Sequence, residues 1–188
     1  MCGIAGVLSA RAVTTERLTE ELQKMTRTLV HRGPDDGGAW CDAAAGVGLG
    51  HRRLAIIDLS PLGHQPMASR SGRYTLTFNG EMYNYQELRT QLVARAHSFR
   101  GTSDTEVLLA AIEEWGLTGA LQRCTGMFAL GLWDAQERIL HLTRDRFGEK
   151  PLYYGDFEGT LLFGSELKAL RRRLRTVTTG IPGVVWIS

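Results

Sequence analysis

The stretch MFALGLWDAQERILHLTRDRFGEKPLYYGDFEGTLLFGSE, residues 127–166, predicts four β-strands in succession. The strands correspond to the runs MFALGLWD, RILHLTR, PLYYGDF and TLLFGSE, which are rich in branched and aromatic side chains and are separated by turn-forming residues. No helical pattern interrupts the series. Because parallel strands need a long crossover connection, usually a helix, this stretch favours antiparallel pairing.

Upstream of these strands, the sequence predicts two consecutive helices. Asn84 followed by Glu87 has the spacing of a capping-box variant, and Ser103 followed by Glu106 has the spacing of the capping box itself. Apolar residues at helical spacing follow each start signal and provide the buried faces: Leu88 and Leu92 in the first helix, and Leu108, Ile112 and Trp115 in the second.

Nearer the N-terminus, the sequence predicts a strand over residues 3–9, GIAGVLS, and a helix over residues 14–30. Further elements are expected at four places: strands near 46–57 and 74–79, a short helix over ELKALRRR (166–173) and a last strand over GVVWIS (183–188). Because helices and strands are segregated rather than alternating, the predicted fold class is α+β with mostly antiparallel sheets.

The composition is that of one globular domain, which we expect to span residues 1–188. Hydrophobic residues make up 43% of the chain, and the net charge of +2 gives no electrostatic footprint for nucleic acid. No apolar run approaches the roughly 20 residues that cross a bilayer, and no secretory signal is visible. From the charge and the apolar runs we expect neither nucleic acid nor membrane as a partner. The three cysteines lack the spacing of a disulfide framework, so we expect a reducing, cytoplasmic location; they are Cys2, Cys41 and Cys124.

Motifs for several common chemistries are absent. The sequence contains no GxSxG element, no GxxxxGK[ST] phosphate loop and no GxGxxG dinucleotide loop. No two histidines are four residues apart, and no Cys/His cluster has the spacing of a zinc site. We therefore expect no metal and no cofactor in this domain.

Cys2, in the opening stretch MCGIAG, has two interpretations. A free cysteine is commonly a small buried residue without a chemical role. If Met1 is removed, however, Cys2 carries a free α-amine with an ordinary pKa of about 7.7–8.0. That amine can accept the thiol proton, so one residue would supply both nucleophile and base. The stretch by itself leaves both interpretations open.

Eight motifs occur in this order between residue 2 and about residue 170: MCGIAG, HRGPDDGG, GHRRLAIIDLSPLGHQPM, FNGEMYNYQELR, SDTEVLL, GMFALGLWD, RDRFGEKPLYY and GSELKAL. As a set they resemble the glutaminase domain of class II glutamine amidotransferases, the N-terminal-nucleophile type, and most of all that of glutamine-hydrolysing asparagine synthetases. The resemblance implies a four-layer α/β/β/α sandwich. It also implies hydrolysis of L-glutamine to glutamate and ammonia through a thioester on Cys2.

The resemblance implies catalytic roles for three residues. Cys2 is the expected nucleophile, and Asn79 and Gly80, in FNGE, are the expected oxyanion hole. An amide side chain and a backbone N–H can both point at a developing oxyanion. Taken in isolation, Asn79-Gly80 also has the composition of a hairpin turn.

The resemblance also implies substrate-binding residues. Arg53 would pair with the substrate α-carboxylate, because a planar guanidinium suits bidentate binding, although a solvated strand arginine would look the same in sequence. Asp104, at the first position of the second predicted helix, would bind the α-ammonium with help from Glu81, or would only complement the helix dipole. Four more residues are assigned to the pocket or its border: Leu54, Ile56 and Ile57, which also suit a buried strand, and Arg32, which either touches the site or holds its loop.

A full asparagine synthetase also contains an ATP-binding domain, whose SGGxDS-type loop is absent from this chain. We therefore expect ATP and Mg only in a synthetase domain supplied in cis or in trans, where the ammonia would amidate aspartate. Two alternatives stay open. One is an amidotransferase for a different acceptor, such as a sugar, a surface polysaccharide or a peptide. The other is a non-catalytic docking module.

Overall fold

The computed structural model describes residues 1–171 and the backbone of residues 184–187. The strands in this part are β1 (Gly3–Ser9), β2 (Asp36–Asp42), β3 (Val47–Arg53), β4 (Met67–Ala68), β5 (Tyr74–Met82), β6 (Gly126–Asp134), β7 (Ile139–Arg144), β8 (Tyr153–Phe157), β9 (Thr160–Gly164) and β10 (Val184–Ile187). The helices are α1 (Thr15–Arg27), α2 (Tyr85–Val93), α3 (Asp104–Arg123) and α4 (Leu167–Leu170), with a single 3-10 turn at Pro61–Gly63. The four strands predicted within residues 127–166 are confirmed as β6 to β9.

The strands form two five-stranded sheets. The first sheet has the strand order β2-β3-β1-β9-β8, and the second sheet has the order β10-β7-β6-β5-β4. Every pairing is antiparallel except that of β10 with β7. The chain therefore leaves the second sheet after β7 and enters the first sheet at β8.

Buried side chains fill three spaces between four layers. Those spaces hold Leu18, Leu22 and Leu162 between α1 and the first sheet, Ile4, Leu49 and Trp133 between the two sheets, and Phe78, Leu88 and Ile112 between the second sheet and helices α2 and α3. Full burial of an aliphatic or aromatic side chain contributes roughly 1.5–3 kcal/mol relative to exposure, so each apolar face needs its neighbouring layer. The result is the expected α/β/β/α sandwich.

The two predicted capping signals have different outcomes. Ser103 caps α3 as predicted, because its Oγ accepts a hydrogen bond from the Glu106 N–H at 3.2 Å. The prediction for Asn84 is wrong, since its side chain makes no capping bond to α2. Instead, its amide donates to the Arg123 carbonyl at 2.8 Å and accepts from the Thr125 N–H at 2.9 Å. Asn84 therefore ties the start of α2 to the segment between α3 and β6.

One strand was missed, and several boundaries differ from the sequence-based expectation; α1, for example, is shorter than the predicted 14–30. Strand β2, with the sequence DGGAWCD, was not predicted, and it forms because it pairs along its whole length with β3. The strand expected near 46–57 ends at Arg53, where the chain turns into a loop. The short helix expected over 166–173 is observed as α4, and residues 172–173 lie outside the described residues.

The fully buried ring of Phe163, on β9, lies between the two sheets where two glycines leave room for it. A Cβ atom on Gly6 of β1 would stand 2.0 Å from this ring, and one on Gly131 of β6 would stand 2.6 Å from it. Real Cβ atoms essentially never lie closer than 3.0 Å to such a neighbour, so a side chain at either glycine would clash with the ring. Gly6 belongs to the first sheet and Gly131 to the second, so this contact sets how closely the sheets approach each other.

Candidate functional site

A cavity of about 160 Å³ opens where β1, β3, β5 and α3 meet. Because Gly3 of β1 pairs with Arg52 of β3, the residue before β1 lies beside the residues that follow β3. The start of α3 is joined to the end of β5 by a hydrogen bond from the Met82 N–H to Asp104. Nine predicted site residues line the cavity: Cys2, Arg53, Leu54, Ile56, Ile57, Asn79, Gly80, Glu81 and Asp104.

The Cys2 thiol lies at the cavity wall beside the segment that follows β3. Its Sγ accepts a hydrogen bond from the Leu54 N–H at 3.4 Å and lies 3.7 Å from the Leu54 carbonyl oxygen. Burial raises the pKa of the thiol and Asp104 adds to the increase, although the Leu54 N–H, the N-terminal ammonium and Arg53 act in the opposite direction. At neutral pH the thiol is therefore protonated, and it needs a base before it can act as a nucleophile.

Arg32 lies behind Cys2, outside the cavity lining. Its Nε donates to the Cys2 carbonyl at 2.9 Å, and its Nη1 donates to Glu166 Oε1 at 3.0 Å. Although burial alone would raise the pKa of Glu166, hydrogen bonds from Lys168, Arg32 and His31 lower it to about 2. The observed contacts correspond to the interpretation in which Arg32 holds the main chain, because they reach the backbone of Cys2 rather than the cavity.

Asn79 and Gly80 lie inside β5, opposite Ala129 and Phe128 of β6, so the hairpin-turn interpretation is wrong. Asn79 is only 1% exposed, and among the described residues its Nδ2 has no hydrogen-bond partner. A buried donor left in this way costs about 1–3 kcal/mol, and an acceptor bound in the cavity would recover it. A Cβ atom at Gly80 would stand 2.5 Å from the Met127 carbonyl oxygen, so only glycine fits there.

The Arg53 guanidinium is buried at the end of β3 and bridges the loop that follows. Its Nη1 donates to the Ser60 carbonyl at 2.9 Å, and its Nη2 donates to the Asp58 carbonyl. The interpretation as a solvated strand arginine is wrong, since the residue is 8% exposed. A guanidinium carries five N–H donors, so donors remain for a ligand on the cavity side.

The loop after β3 is held by Asp58, whose part in the site was not predicted. The Asp58 carboxylate accepts hydrogen bonds from the hydroxyl and N–H of Ser60 and from the N–H of Thr102. The Ser60 hydroxyl and the Thr102 N–H are the main reasons why the pKa of Asp58 is lowered to about 2. Leu54, Ile56 and Ile57 line the cavity from this loop. They are not part of a buried strand, and Ile56 is 64% exposed.

Two carboxylates face the cavity where β5 and α3 meet. Asp104, at the first position of α3, is 6% exposed, and its Oδ2 accepts a hydrogen bond from the Met82 N–H at 3.0 Å. Burial raises the pKa of Asp104, and the charge of Glu81 raises it further, while hydrogen bonds from backbone N–H groups oppose the increase. A buried carboxylate beside a second one is stabilised by a cation, so this corner of the cavity suits an ammonium group.

Lys150 and Gln65 also line the cavity, and neither was predicted. Lys150 is 7% exposed, and its Nζ lies 3.5 Å from the Met1 sulfur. Gln65 accepts a hydrogen bond from the Phe78 N–H at 2.7 Å and donates to the Thr105 hydroxyl at 3.2 Å, so it supports the wall beside Asn79. Lys150 belongs to the motif RDRFGEKPLYY, but nothing local to that motif indicates that the lysine meets the N-terminus.

The cavity therefore combines a thiol, a buried amide donor and charges of both signs. This arrangement suits acyl transfer from a small ligand that carries both a carboxylate and an ammonium group. Within residues 1–171, no group of three or more His, Cys, Asp or Glu side chains is placed to hold a metal ion. No helix in the described part of the chain is long and apolar enough to cross a membrane.

Comparison with known proteins places these observations in a family. A family model described as a glutamine amidotransferase domain matches residues 1–181. Asparagine synthetase (glutamine-hydrolysing) 3 of Bacillus subtilis is 41% identical over 172 residues, which cover 90% of this chain and 27% of that relative. Amidase chry2 of Gibberella zeae is 38% identical over 177 residues, which cover 90% of this chain and 26% of that relative. The chain thus spans about a quarter of the length of these relatives.

A solved structure supports the fold. The glutamine phosphoribosylpyrophosphate amidotransferase of Bacillus subtilis matches with a TM-score of 0.73 and 19% sequence identity, over 90% of this chain and 43% of that chain. At that identity the match shows a shared fold alone. It confirms the arrangement of two sheets between helical layers.

Proposed function

Because this chain belongs to the glutamine amidotransferase domain family, we propose that it hydrolyses the side-chain amide of L-glutamine with Cys2 as the nucleophile. One observation carries the proposal: the Cys2 thiol lines the same small cavity as the buried Asn79, whose Nδ2 has no hydrogen-bond partner in the described part of the chain. A nucleophile beside an unused, buried hydrogen-bond donor is the arrangement that acyl transfer through an oxyanion requires.

The reaction requires Cys2 to be the first residue of the mature chain, with Met1 removed. Its α-amine then accepts the thiol proton, and Sγ attacks the carbon of the substrate side-chain amide. The carbonyl electron pair moves to oxygen, where the Asn79 amide and the Gly80 N–H donate hydrogen bonds. The ammonium of Cys2 returns the proton to the leaving nitrogen, which departs as ammonia. Water activated by the same amine then cleaves the γ-glutamyl thioester, which releases glutamate and restores the thiol.

Charged groups at two sides of the cavity account for recognition of the amino-acid end of glutamine. We assign the α-carboxylate to Arg53, which lines the cavity and has N–H donors beyond the two that bond the Ser60 and Asp58 carbonyls. The α-ammonium is assigned to Asp104 and Glu81, because a cation there relieves the cost of burying the Asp104 carboxylate. Leu54, Ile56 and Ile57 contact the methylene groups between the two ends.

We further propose that the ammonia serves a synthetase domain, in cis or in trans, which would bind ATP and Mg and amidate aspartate. Support for this acceptor comes from the similarity to asparagine synthetase 3 of Bacillus subtilis. A second candidate is an acceptor other than aspartate, because Amidase chry2, which is similar over the same 90% of this chain, is not described as an asparagine synthetase. A non-catalytic docking module is less well supported, because Cys2, Asn79 and Arg53 all line the cavity. The whole chain, 1–188, is proposed as one cytoplasmic domain.

The decisive experiment combines intact mass with glutamate and ammonia release from glutamine. The mass shows whether Met1 is absent, and the assay measures the rate for the wild type and for Cys2→Ala. We expect release by the wild type and none by Cys2→Ala, whereas Cys41→Ala, which removes a thiol away from the cavity, keeps the wild-type rate. A chain that begins at Cys2 and releases no ammonia at saturating glutamine would contradict the proposal.

A further inference from the structure

We propose that Lys150 is an electrostatic positioning residue for the α-amine of Cys2. Its positive charge keeps that amine neutral, and therefore able to accept the thiol proton, at a lower pH than an isolated amine would allow. The inference rests on the proposed function, since it concerns the base of that reaction. It assigns a role to a buried lysine that the steps described above do not use.

The location of Lys150 is the first argument. A lysine is almost never fully buried without a partner, yet this one is 7% exposed and lies in the cavity wall with Cys2. Its ammonium contacts the sulfur of Met1 at 3.5 Å, and a thioether is a weak acceptor. When Met1 is removed, that contact is lost, and the nitrogen to which Met1 was bonded becomes the free amine of Cys2. Lys150 and the residue that carries the new amine line the same cavity, so the ammonium and the base share one enclosed space.

The backbone around Lys150 fixes this position. The Asp145 carboxylate accepts hydrogen bonds from the N–H groups of Phe128, Phe147, Glu149 and Lys150, at 3.0–3.2 Å. These bonds fold the segment between β7 and β8 into a tight loop, and Pro151 follows directly. The bonds fix the main chain of Lys150, and its low exposure shows that the side chain extends into the protein rather than into solvent.

The carboxylates around the cavity act against Lys150. They come from three elements: Asp58 on the loop after β3, Glu81 on β5 and Asp104 at the start of α3. Each favours the protonated amine, because opposite charges stabilise the charged form of a titrating group. Without a compensating cation, these groups would raise the pKa of the Cys2 amine and lower the fraction that can act as a base at neutral pH.

The two arginines near Cys2 are already engaged. Arg32 is paired with Glu166, and Arg53, which donates to the carbonyls of Asp58 and Ser60, is assigned to the substrate α-carboxylate. Lys150 differs from both, because its ammonium contacts only the neutral Met1 sulfur among the described residues and no group of the substrate is assigned to it. A like charge beside an amine disfavours its protonation, so Lys150 lowers the pKa of the Cys2 amine.

The first test is the pH dependence of kcat/KM for glutamine hydrolysis. In Lys150→Met, the midpoint of the acidic limb should move up by about half a pH unit to one unit, because the amine loses a neighbouring positive charge. Lys150→Arg keeps the charge and should stay close to the wild-type midpoint. Lys24→Met is the matched control: Lys24 is exposed on α1 and paired with Glu20, and its loss should leave the midpoint unchanged.

The second test does not depend on turnover. In protein labelled with ¹³C-cysteine, an NMR titration of the Cys2 α-carbon reports the pKa of its amine, and in the wild type we expect a value below the ordinary range of about 7.7–8.0. Coincident midpoints in wild type and Lys150→Met, a change in KM alone, or a wild-type amine that titrates within or above the ordinary range would each overturn the role of Lys150. Absence of ammonia release by the wild type would instead contradict the proposed function, and the titration would still decide the inference.

Discussion

Replacement of Asn79 by leucine separates catalysis from stability, because the two are predicted to change in opposite directions. Leucine has the branched shape of asparagine at Cγ and carries no hydrogen-bond donor. Asn79 is 1% exposed, and its Nδ2 has no partner among the described residues, so the folded protein gains nothing from that N–H group before substrate binds. The same group is the side-chain donor assigned to the oxyanion.

The expected magnitudes follow from these two facts. Loss of one oxyanion-hole donor costs about 10²–10³ in kcat. A buried donor without a partner costs about 1–3 kcal/mol, so its removal should raise the free energy of unfolding by about 1 kcal/mol once imperfect packing of leucine is allowed for. The variant is therefore expected to be slower and at least as stable as the wild type.

Thr77→Val is the matched control, because Thr77 lies two residues earlier on the same strand. Its hydroxyl donates to the Gly50 carbonyl at 3.1 Å, so a structural bond is lost and stability should fall by about 1 kcal/mol while the rate is retained. Unfolding in urea and steady-state ammonia release measure both quantities. A loss of stability in Asn79→Leu as large as that of Thr77→Val, or a fall in kcat of less than about tenfold, would refute the reasoning.

Two further predictions concern groups around the cavity. Glu166→Gln weakens the ion pair that holds Arg32 against the Cys2 carbonyl, so kcat should fall roughly tenfold to a hundredfold with little change in KM. The control is Glu137→Gln, which alters a surface pair with Arg73 and should leave kcat unchanged. The pKa of Asp58 is about 2 in the folded protein and about 3.9 in the unfolded chain. Its negative charge therefore stabilises the folded protein fully above about pH 4, and this stabilisation is lost as the pH falls to about 2. The difference in unfolding free energy between wild type and Asp58→Asn should therefore shrink below about pH 4 and be smallest near pH 2, and a difference that stays constant over this range would show that the carboxylate charge has no part in it.

Elements with a strong local signal were predictable from the sequence. Apolar runs separated by turn-forming residues identified β6 to β9, and the Ser103 to Glu106 spacing identified the start of α3. Strand β2 was missed because its sequence, DGGAWCD, contains two glycines and ends in aspartates. The strand forms because its backbone pairs with β3, not because its own residues favour a strand. The prediction that Asn84 caps α2 was wrong for a related reason, since its side chain bonds the distant Arg123 carbonyl instead of a backbone N–H of α2.

Some residues of the candidate site were predictable from the sequence and others were not. Cys2, Asn79, Gly80, Arg53 and Asp104 were predicted through the family resemblance, and the fold brings them to one cavity. Asp58, Gln65 and Lys150 were not predicted, because their contacts join segments far apart in the chain. The contact between Lys150 and Met1, for example, spans 149 positions and has no local sequence signal.

The Phe163 contact between the sheets has a consequence for the geometry of the cavity. Cys2 precedes a strand of the first sheet and Asn79 lies in the second, so the thiol and the amide proposed to stabilise the oxyanion are carried by separate layers. Their separation is set by intersheet packing, in which Phe163 meets Gly6 and Gly131. A larger side chain at Gly6 or Gly131, or a smaller one at Phe163, would therefore change the distance between the two reacting groups without altering any residue that lines the cavity.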